Sequence, residues 1–66
     1  MALGTVIWFS RHSGYGFIAP DDGSDDVLVH HSSLDGLQAA LVVGQRVDYL
    51  LVEGSHGRRV KNVRAS

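Results

Sequence analysis

The chain contains no cysteine, and its 66 residues include a single proline, a single methionine and a single tryptophan. Without cysteine, neither a disulfide nor a thiolate metal site can stabilise the fold. A chain of this length has room for one small domain with a modest core and marginal stability. It contains no signal peptide and no apolar run long enough to span a membrane. These absences predict a soluble, cytoplasmic protein that does not associate with membranes.

The chain also lacks a charge excess of either sign, because its formal net charge is −1. Overall charge therefore provides no attraction to nucleic acid, and the distribution of charge matters more. Aspartates cluster between residues 21 and 26, and basic residues cluster between residues 58 and 64. The basic cluster is either a solvated surface or a strip that contacts phosphate, and the sequence leaves both interpretations open.

Aromatic residues are few, at 8% of the chain, but two of them alternate with two glycines within residues 13–20. This stretch otherwise resembles a strand, so Tyr15 and Phe17 share one face. Glycine is a poor strand residue because it packs nothing and loses more backbone entropy than any other residue. We expect Gly14 and Gly16 to let a flat object, such as a nucleobase, lie close to the backbone between the rings.

Residues 5–9 and 27–30 also read as strands, because β-branched residues alternate with others. Trp8, Leu28 and His30 can then join the two rings on one face of a three-stranded sheet. Stacking on such a face contributes about 1–3 kcal/mol per base and tolerates any sequence, since every base has a π-face.

Five strands are predicted in total: Gly4–Ser10, Tyr15–Pro20, Val27–His30, Arg46–Glu53 and Arg58–Arg64. Five short strands joined by long loops fit a closed or nearly closed barrel. Strict alternation would place Trp8 on the core side with Val6; a bulge near Ile7 would resolve this conflict, but the sequence alone does not show one. A short helical turn capped by a serine is expected at residues 32–35, and a hairpin turn at residues 54–57.

Alternation also predicts which side chains face the core. The expected inward residues are Ile18, Val27, Val29, Val47, Tyr49 and Leu51, with Phe9 also assigned to the core. Asp48 and Leu50 are expected to face outward. Because this set already fills one side of the sheet, the remaining aromatic residues are free to face a ligand.

The motifs and their spacing resemble the bacterial cold-shock protein family. The resemblance covers nearly the whole chain and is carried by residues 4–9, 14–23, 26–30, 43–47 and 62–63. It implies that residues 1–66 are a single cold-shock domain, an all-β, five-stranded antiparallel OB-fold barrel that binds oligonucleotides across its second and third strands. It also implies an RNA chaperone that melts unwanted secondary structure, or a regulator of transcription or translation, without a cofactor.

The candidate nucleic-acid-binding residues are Trp8, Gly14, Tyr15, Gly16, Phe17, Asp26, Leu28, His30, His31, Arg58, Arg59 and Lys61. The aromatic rings and His30 would stack on bases, Asp26 would accept a hydrogen bond from a base edge, and the cations would neutralise phosphates. The simpler alternatives are that the aromatic rings belong to the core, His30 is a solvated surface residue and Asp26 only ends a loop.

This chain also departs from the family pattern. The family usually carries lysine at the positions of Ile7 and Ser13, phenylalanine at those of Leu28 and His31, and a further aromatic residue near Gln38. If each of about three lost stacks is worth roughly 1 kcal/mol, affinity falls by about two decades. We therefore expect weaker binding of single strands than in a relative with the full set of rings, and tighter binding on Leu28→Phe substitution.

The site is expected to respond to pH. His12, His30 and His31 lie in or beside it, and histidine becomes charged as the pH falls toward 6. Contact with phosphate favours the charged form, so binding should strengthen over this range.

No enzymatic activity is expected, because no nucleophile stands with a base and an orienting group at motif spacing. No metal site is expected either, since His30 and His31 would point to opposite faces of a strand. Only His12 with His30 would form a metal-binding pair across strands. The sequence does not separate RNA from DNA as the ligand, because a stacking face contacts bases and not the 2′-hydroxyl.

A different class of function stays open, in which the barrel has been repurposed for protein–protein contacts. Trp8, Phe17, Leu28 and Ile7 would form an exposed apolar patch, and such patches often mark partner surfaces. A monomer is expected, although exposed strand edges make a dimer conceivable.

Overall fold

The computed structural model describes residues 2–34, 40–54 and 57–66. Its elements are the strands β1 (Ala2–Ser10), β2 (Tyr15–Pro20), β3 (Val27–His30), β4 (Arg46–Gly54) and β5 (Gly57–Ala65), with one short 3-10 helix, η1 (His31–Ser33), after β3. Each predicted strand lies within an observed one, so all five predictions are confirmed. Gly54 pairs with Gly57 across the expected hairpin, whose tip, residues 55–56, lies outside the described residues.

The strands form one antiparallel sheet in the order β3-β2-β1-β4-β5. The two edge strands approach each other, because Leu34 at the end of η1 forms a parallel bridge with Val63 of β5. The sheet therefore curls into a nearly closed barrel. The predicted all-β OB-fold barrel is confirmed, and closure brings η1 against β5 although these elements are far apart in sequence.

A bulge is present near Ile7. The register of β1 against β2 shifts between Val6, which lies opposite Ile18, and Trp8, which lies opposite Phe17. Val6 is fully buried, whereas the side chain of Trp8 is 47% exposed. One extra residue thus places a core residue and an exposed ring on opposite faces of a strand where strict alternation would put them together.

The core contains nine buried residues: Val6, Ile18, Val27, Val29, Leu41, Val47, Tyr49, Val60 and Val63. Five of the expected inward residues belong to this set. Phe9 is partly buried and packs against it. Among the described residues, no polar or charged residue is buried, and no buried side-chain nitrogen or oxygen atom lacks a hydrogen-bond partner.

The prediction that Leu51 faces the core is wrong. A second register shift, between Asp48 and Leu50, changes the phase of β4 against β5. Beyond it Leu50 and Leu51 are 39% and 38% exposed. The following residues of the hairpin are exposed on both strands up to Arg59. This end of the hairpin therefore projects past the core, and alternation there no longer separates a buried face from an exposed one.

The helical turn is present, but its predicted serine cap is wrong. The turn begins one residue earlier than expected, so the residue that precedes it is His30. The backbone N–H of Ser32 donates to Nδ1 of His30 over 3.3 Å. A ring nitrogen thus takes the part that a serine hydroxyl usually plays at the start of a helix. Residue 35, at the end of the predicted turn, lies outside the described residues.

Candidate nucleic-acid interface

One face of the sheet presents five candidate residues from three adjacent strands. We call it the stacking face, and it consists of Trp8, Tyr15, Phe17, Leu28 and His30. Phe17 lies between Trp8 on one side and Leu28 on the other, and Tyr15 lies opposite His30. The strand register therefore arranges the five side chains in two neighbouring rows across the sheet.

The rings of the stacking face are accessible. Trp8, Tyr15 and Phe17 are 47%, 43% and 39% exposed, so the alternative that they belong to the core is wrong. The ring centroids of Trp8 and Phe17 are 5.9 Å apart with an angle of 39° between their planes. Those of Tyr15 and His30 are 4.5 Å apart. Tilted rings at these separations support one another and leave π-faces open to solvent.

Leu28 and Asp26 extend the same side of the sheet. Leu28 is 49% exposed, the largest exposed fraction on the stacking face. Asp26 is exposed directly before β3, and alternation places it on the side of Leu28. The positions where the family carries lysine, Ile7 and Ser13, are exposed as well. The missing aromatic residue near Gln38 falls outside the described residues.

His31 lies beside His30, contrary to the expectation that the two rings point to opposite faces. Their centroids are 4.2 Å apart. Strand alternation ends at His30, because His31 already belongs to η1. Its backbone N–H donates to the carbonyl oxygen of Gly14 over 2.7 Å. The strand-to-helix transition thus adds a second imidazole to the edge of the stacking face.

The structure gives Gly14 a different role from the one expected. Its φ is +78°, and a Cβ there would lie 2.5 Å from Cδ2 of His31. Positive φ is a conformation that glycine adopts without steric cost. The space beside Gly14 is therefore filled by the ring of His31, and the expected reason for this glycine, room for a base, is wrong.

Gly16 is likewise explained by packing within the protein. A Cβ at this position would lie 2.5 Å from the carbonyl oxygen of Trp8 and 2.6 Å from Cδ1 of Phe9. Gly16 lies opposite Phe9 in the β1–β2 ladder, so it makes room for the partly buried ring of Phe9. The sequence argument missed this because it considered the glycines along one strand and not across two.

Ser32 makes two contacts with the ring of His30. Its backbone N–H donates to Nδ1 over 3.3 Å, and its Oγ lies 2.8 Å from the same nitrogen. Because both contacts use Nδ1, the half-buried His30 keeps a ring face for stacking and its Nε2 for a base or a phosphate.

The cations of the chain differ in whether a carboxylate pairs with them. Arg46 donates to both carboxylate oxygens of Asp21 over 2.6 Å, and Arg64 pairs with Asp48 at 3.2 Å. Arg59 and Lys61, by contrast, form no ion pair within residues 2–34, 40–54 and 57–66. These two cations of β5 are exposed and stay available to a ligand.

Arg58 and Arg59 lie at the end of the stacking face. With Val60 they line one side of an open cleft of about 300 Å³, and Tyr15, Leu28, His30, Ser32 and Ser33 line the rest. Arg58 also lies near the acidic loop, since its Nη2 is 3.4 Å from Ser24 Oγ. Lys61 does not line this cleft, so the structure brings two of the three predicted phosphate contacts directly to the rings.

The acidic loop is organised by internal contacts. The hydrogen bond from Arg46 lowers the pKa of the Asp21 carboxyl; desolvation opposes this effect, and the charge of Arg46 adds to it. The hydroxyl and backbone N–H of Ser24 lower the pKa of Asp22. Within the described part of the chain, no group of three or more His, Cys, Asp or Glu side chains is placed to hold a metal ion.

Among the described residues, no helix is long and apolar enough to cross a membrane. Comparison with known proteins gives a consistent result over the whole length of the chain. The sequence model of the 'Cold-shock' DNA-binding domain matches residues 2–66. The chain is 43% identical to the cold shock-like protein CspA of Stigmatella aurantiaca, over 98% of this chain and 97% of that protein.

Two further relatives agree. The chain is 45% identical to the major cold shock protein of Micrococcus luteus, over 96% of each chain. It is 44% identical to the cold shock-like protein CspE of Escherichia coli, over 91% of this chain and 88% of that protein. The match of the family model to residues 2–66 includes both the stacking face and β5.

Proposed function

The chain belongs to the cold-shock DNA-binding domain family, and on this premise we propose that it binds single-stranded RNA or DNA by stacking bases on the stacking face. The observation that carries the proposal is the register of β1, β2 and β3, which brings three half-exposed aromatic rings together. Base stacking on aromatic side chains is tolerant of sequence, so the protein discriminates unpaired from paired strands more than one sequence from another.

Each candidate residue has a chemical part in this proposal. Trp8, Tyr15 and Phe17 stack on bases, Leu28 adds apolar contact, and His30 stacks or donates from Nε2. Asp26 accepts a hydrogen bond from a base edge, and Arg58, Arg59 and Lys61 contact phosphates. Gly14 and Gly16 act indirectly, by letting His31 and Phe9 pack where they do.

An RNA chaperone requires nothing beyond this binding. A protein that binds only unpaired strands shifts the pairing equilibrium by mass action, without a cofactor or an energy source. The same activity suits a regulator of transcription or translation, which acts by keeping a strand accessible. We propose this role for a cytoplasmic monomer and assign no catalytic residue.

The affinity is proposed to be lower than in relatives with the full set of rings and lysines. Leu28 offers no π-face at a position 49% exposed beside Phe17. Ile7 and Ser13 carry no charge at exposed positions. The comparisons favour nucleic acid as the ligand and offer nothing for the protein-contact alternative.

The fluorescence of Trp8 provides a direct test, because the chain contains one tryptophan and it lies on the stacking face. Titration with a short pyrimidine-rich single strand should give saturable quenching that weakens as salt increases. A duplex of the same sequence is the matched control and should quench far less. Absence of quenching at micromolar protein with an intact fold contradicts the proposal, and quenching insensitive to salt would point to apolar contact alone.

A further inference from the structure

A groove follows the line where the barrel closes, between η1 and β5. We call it the seam groove. It is an open depression of about 440 Å³ lined by Ser32, Ser33, Leu34, Arg59, Val60, Lys61 and Asn62. The cleft at the end of the stacking face shares four of these residues, Ser32, Ser33, Arg59 and Val60. One continuous path therefore leads from Tyr15 and His30, across the seam, to Lys61.

The lining of the seam groove differs in kind from the stacking face. It offers two cations, two hydroxyl groups and one amide, and it contains neither an aromatic ring nor a carboxylate. The cations are Arg59 and Lys61, which form no ion pair within the described ranges. Such a surface suits the anionic sugar-phosphate backbone and offers a base nothing to stack on.

The geometry points to a second binding segment for the same strand, and we propose that the seam groove binds sugar-phosphate without its bases. A strand whose bases lie on the stacking face continues past Tyr15 and His30 and places about two phosphates, one for each unpaired cation, in the groove. This inference rests on the proposed function. It adds that affinity depends on strand length beyond the stacked bases and that the added affinity is electrostatic.

Strands of defined length and chemistry test the inference. The probes are a thymidine strand of about four nucleotides and the same strand extended at its 5′ or its 3′ end by abasic nucleotides. Extension at one end should tighten binding to the wild-type protein several-fold at low salt. It should also steepen the dependence of log K on log salt by about 0.7 for each phosphate contacted.

Variants that each remove one positive charge distinguish the effect of the groove cations from the effect of overall charge. Arg59→Gln and Lys61→Gln should each reduce the ratio of affinities for the extended and the short strand, and the double variant should bring it close to unity. Arg64→Gln removes the same charge from the same strand, but Arg64 pairs with Asp48 and does not line the groove. This control should keep the wild-type ratio. All three side chains are exposed, and circular dichroism verifies the fold of each variant.

The results distinguish failure of the groove from failure of the proposed function. If the short strand does not quench Trp8, the proposed function itself is wrong. If it does, the proposed role of the seam groove is wrong when extension has no effect at either end, or when Arg64→Gln lowers the ratio as much as Arg59→Gln. It is also wrong when extension with thymidine tightens binding while extension with abasic nucleotides does not.

Discussion

The stacking face and the seam groove are joined by the cleft that Tyr15 and His30 line, but they offer opposite chemistry. The stacking face presents rings and a leucine, half exposed and without a cation. The groove presents cations and hydroxyl groups without a ring. In the proposed binding mode, contacts to bases and contacts to the backbone are therefore separated in space, so each can be altered without the other. This separation also explains how a chain of net charge −1 can carry a surface suited to an anionic polymer.

The arginines show the same contrast within one residue type. Arg46 and Arg64 are held by carboxylates, so they act as structural cations between strands and loops. Arg59 points into a groove lined without carboxylates. Position relative to the acidic residues, and not the number of cations, decides which part of this surface attracts phosphate.

Removing a ring from the stacking face should have the largest effect on binding. Phe17→Ala should weaken single-strand affinity by about 1–3 kcal/mol, roughly 5- to 150-fold, because Phe17 lies at the centre of its row. Leu50→Ala is the matched control, since both residues are 39% exposed and Leu50 lies on β4. Trp8 quenching measures both variants, and equal loss in the two would contradict a specific stacking face.

Adding a ring should sharpen the difference between the two surfaces. Leu28→Phe places an aromatic side chain in a cross-strand pair with Phe17 and should tighten binding by roughly 1 kcal/mol, about fivefold. The salt dependence should stay unchanged, because no charge is added. Unchanged or weaker affinity, measured by the same titration, would count against the proposed shortage of rings.

Lowering the pH from 8 to 6 should strengthen binding by a few-fold. The structure directs this effect to His31, because its side chain is exposed, whereas His30 is half-buried and contacts Ser32 through Nδ1. His31 is exposed and lies near Arg11 and His30. A phosphate beside it favours the charged form, so binding takes up a proton and affinity rises as pH falls.

Two variants test this assignment in the same titration. His31→Phe keeps a ring but removes the titrating group, and it should make affinity nearly independent of pH. His12→Gln, the control, should keep the dependence. Wild-type affinity that is flat between pH 8 and 6 excludes the effect altogether.

The smallest effect is expected at the ion pair between Arg46 and Asp21, and it concerns the stability of the fold. The pKa of Asp21 is lowered in the folded protein by its hydrogen bonds with Arg46. The ion pair therefore stabilises the fold fully at pH values above the pKa of Asp21 in the unfolded chain, which is near 4. This stabilisation is lost as the pH falls through the lowered pKa of Asp21 in the folded protein. Thermal unfolding of Asp21→Asn should show slightly lower stability at neutral pH and a weaker decline on acidification. Asp25→Asn, in the same loop, should behave like the wild type.

Much of the fold could be predicted because the core pattern has the period of a strand. Ile18, Val27 and Val29 establish the inward face by alternation alone. The conflict between Val6 and Trp8 indicated where a bulge would resolve it, and the register of β1 against β2 shows that the bulge exists. Leu51 shows the limit of this reasoning. Whether Leu51 faces inward or outward depends on the register shift of β4 against β5 and on how far the hairpin projects beyond the core. The residue pattern of β4 alone indicates neither.

The candidate site divides in the same way. The sequence indicated that Trp8, Tyr15, Phe17, Leu28 and His30 gather on one face, since all five lie on short adjacent strands. It did not indicate the ring of His31 beside Gly14, or Phe9 beside Gly16, because these contacts cross between elements. No motif marked the seam groove, whose walls combine residues 32–34 with residues 59–62.

The sequence by itself determined the strands, the inward and outward phases of most of them and the family, because each depends on residue type and spacing along the chain. Only the tertiary structure decided whether β1 contains a bulge, which cations are paired, what fills the space beside Gly14 and Gly16 and where the groove lies. These features depend on contacts between elements, and the groove in particular depends on barrel closure, when Leu34 meets Val63 and brings η1 and β5 together. Local periodicity describes a strand, whereas contacts between distant strands exist only once the sheet has curled.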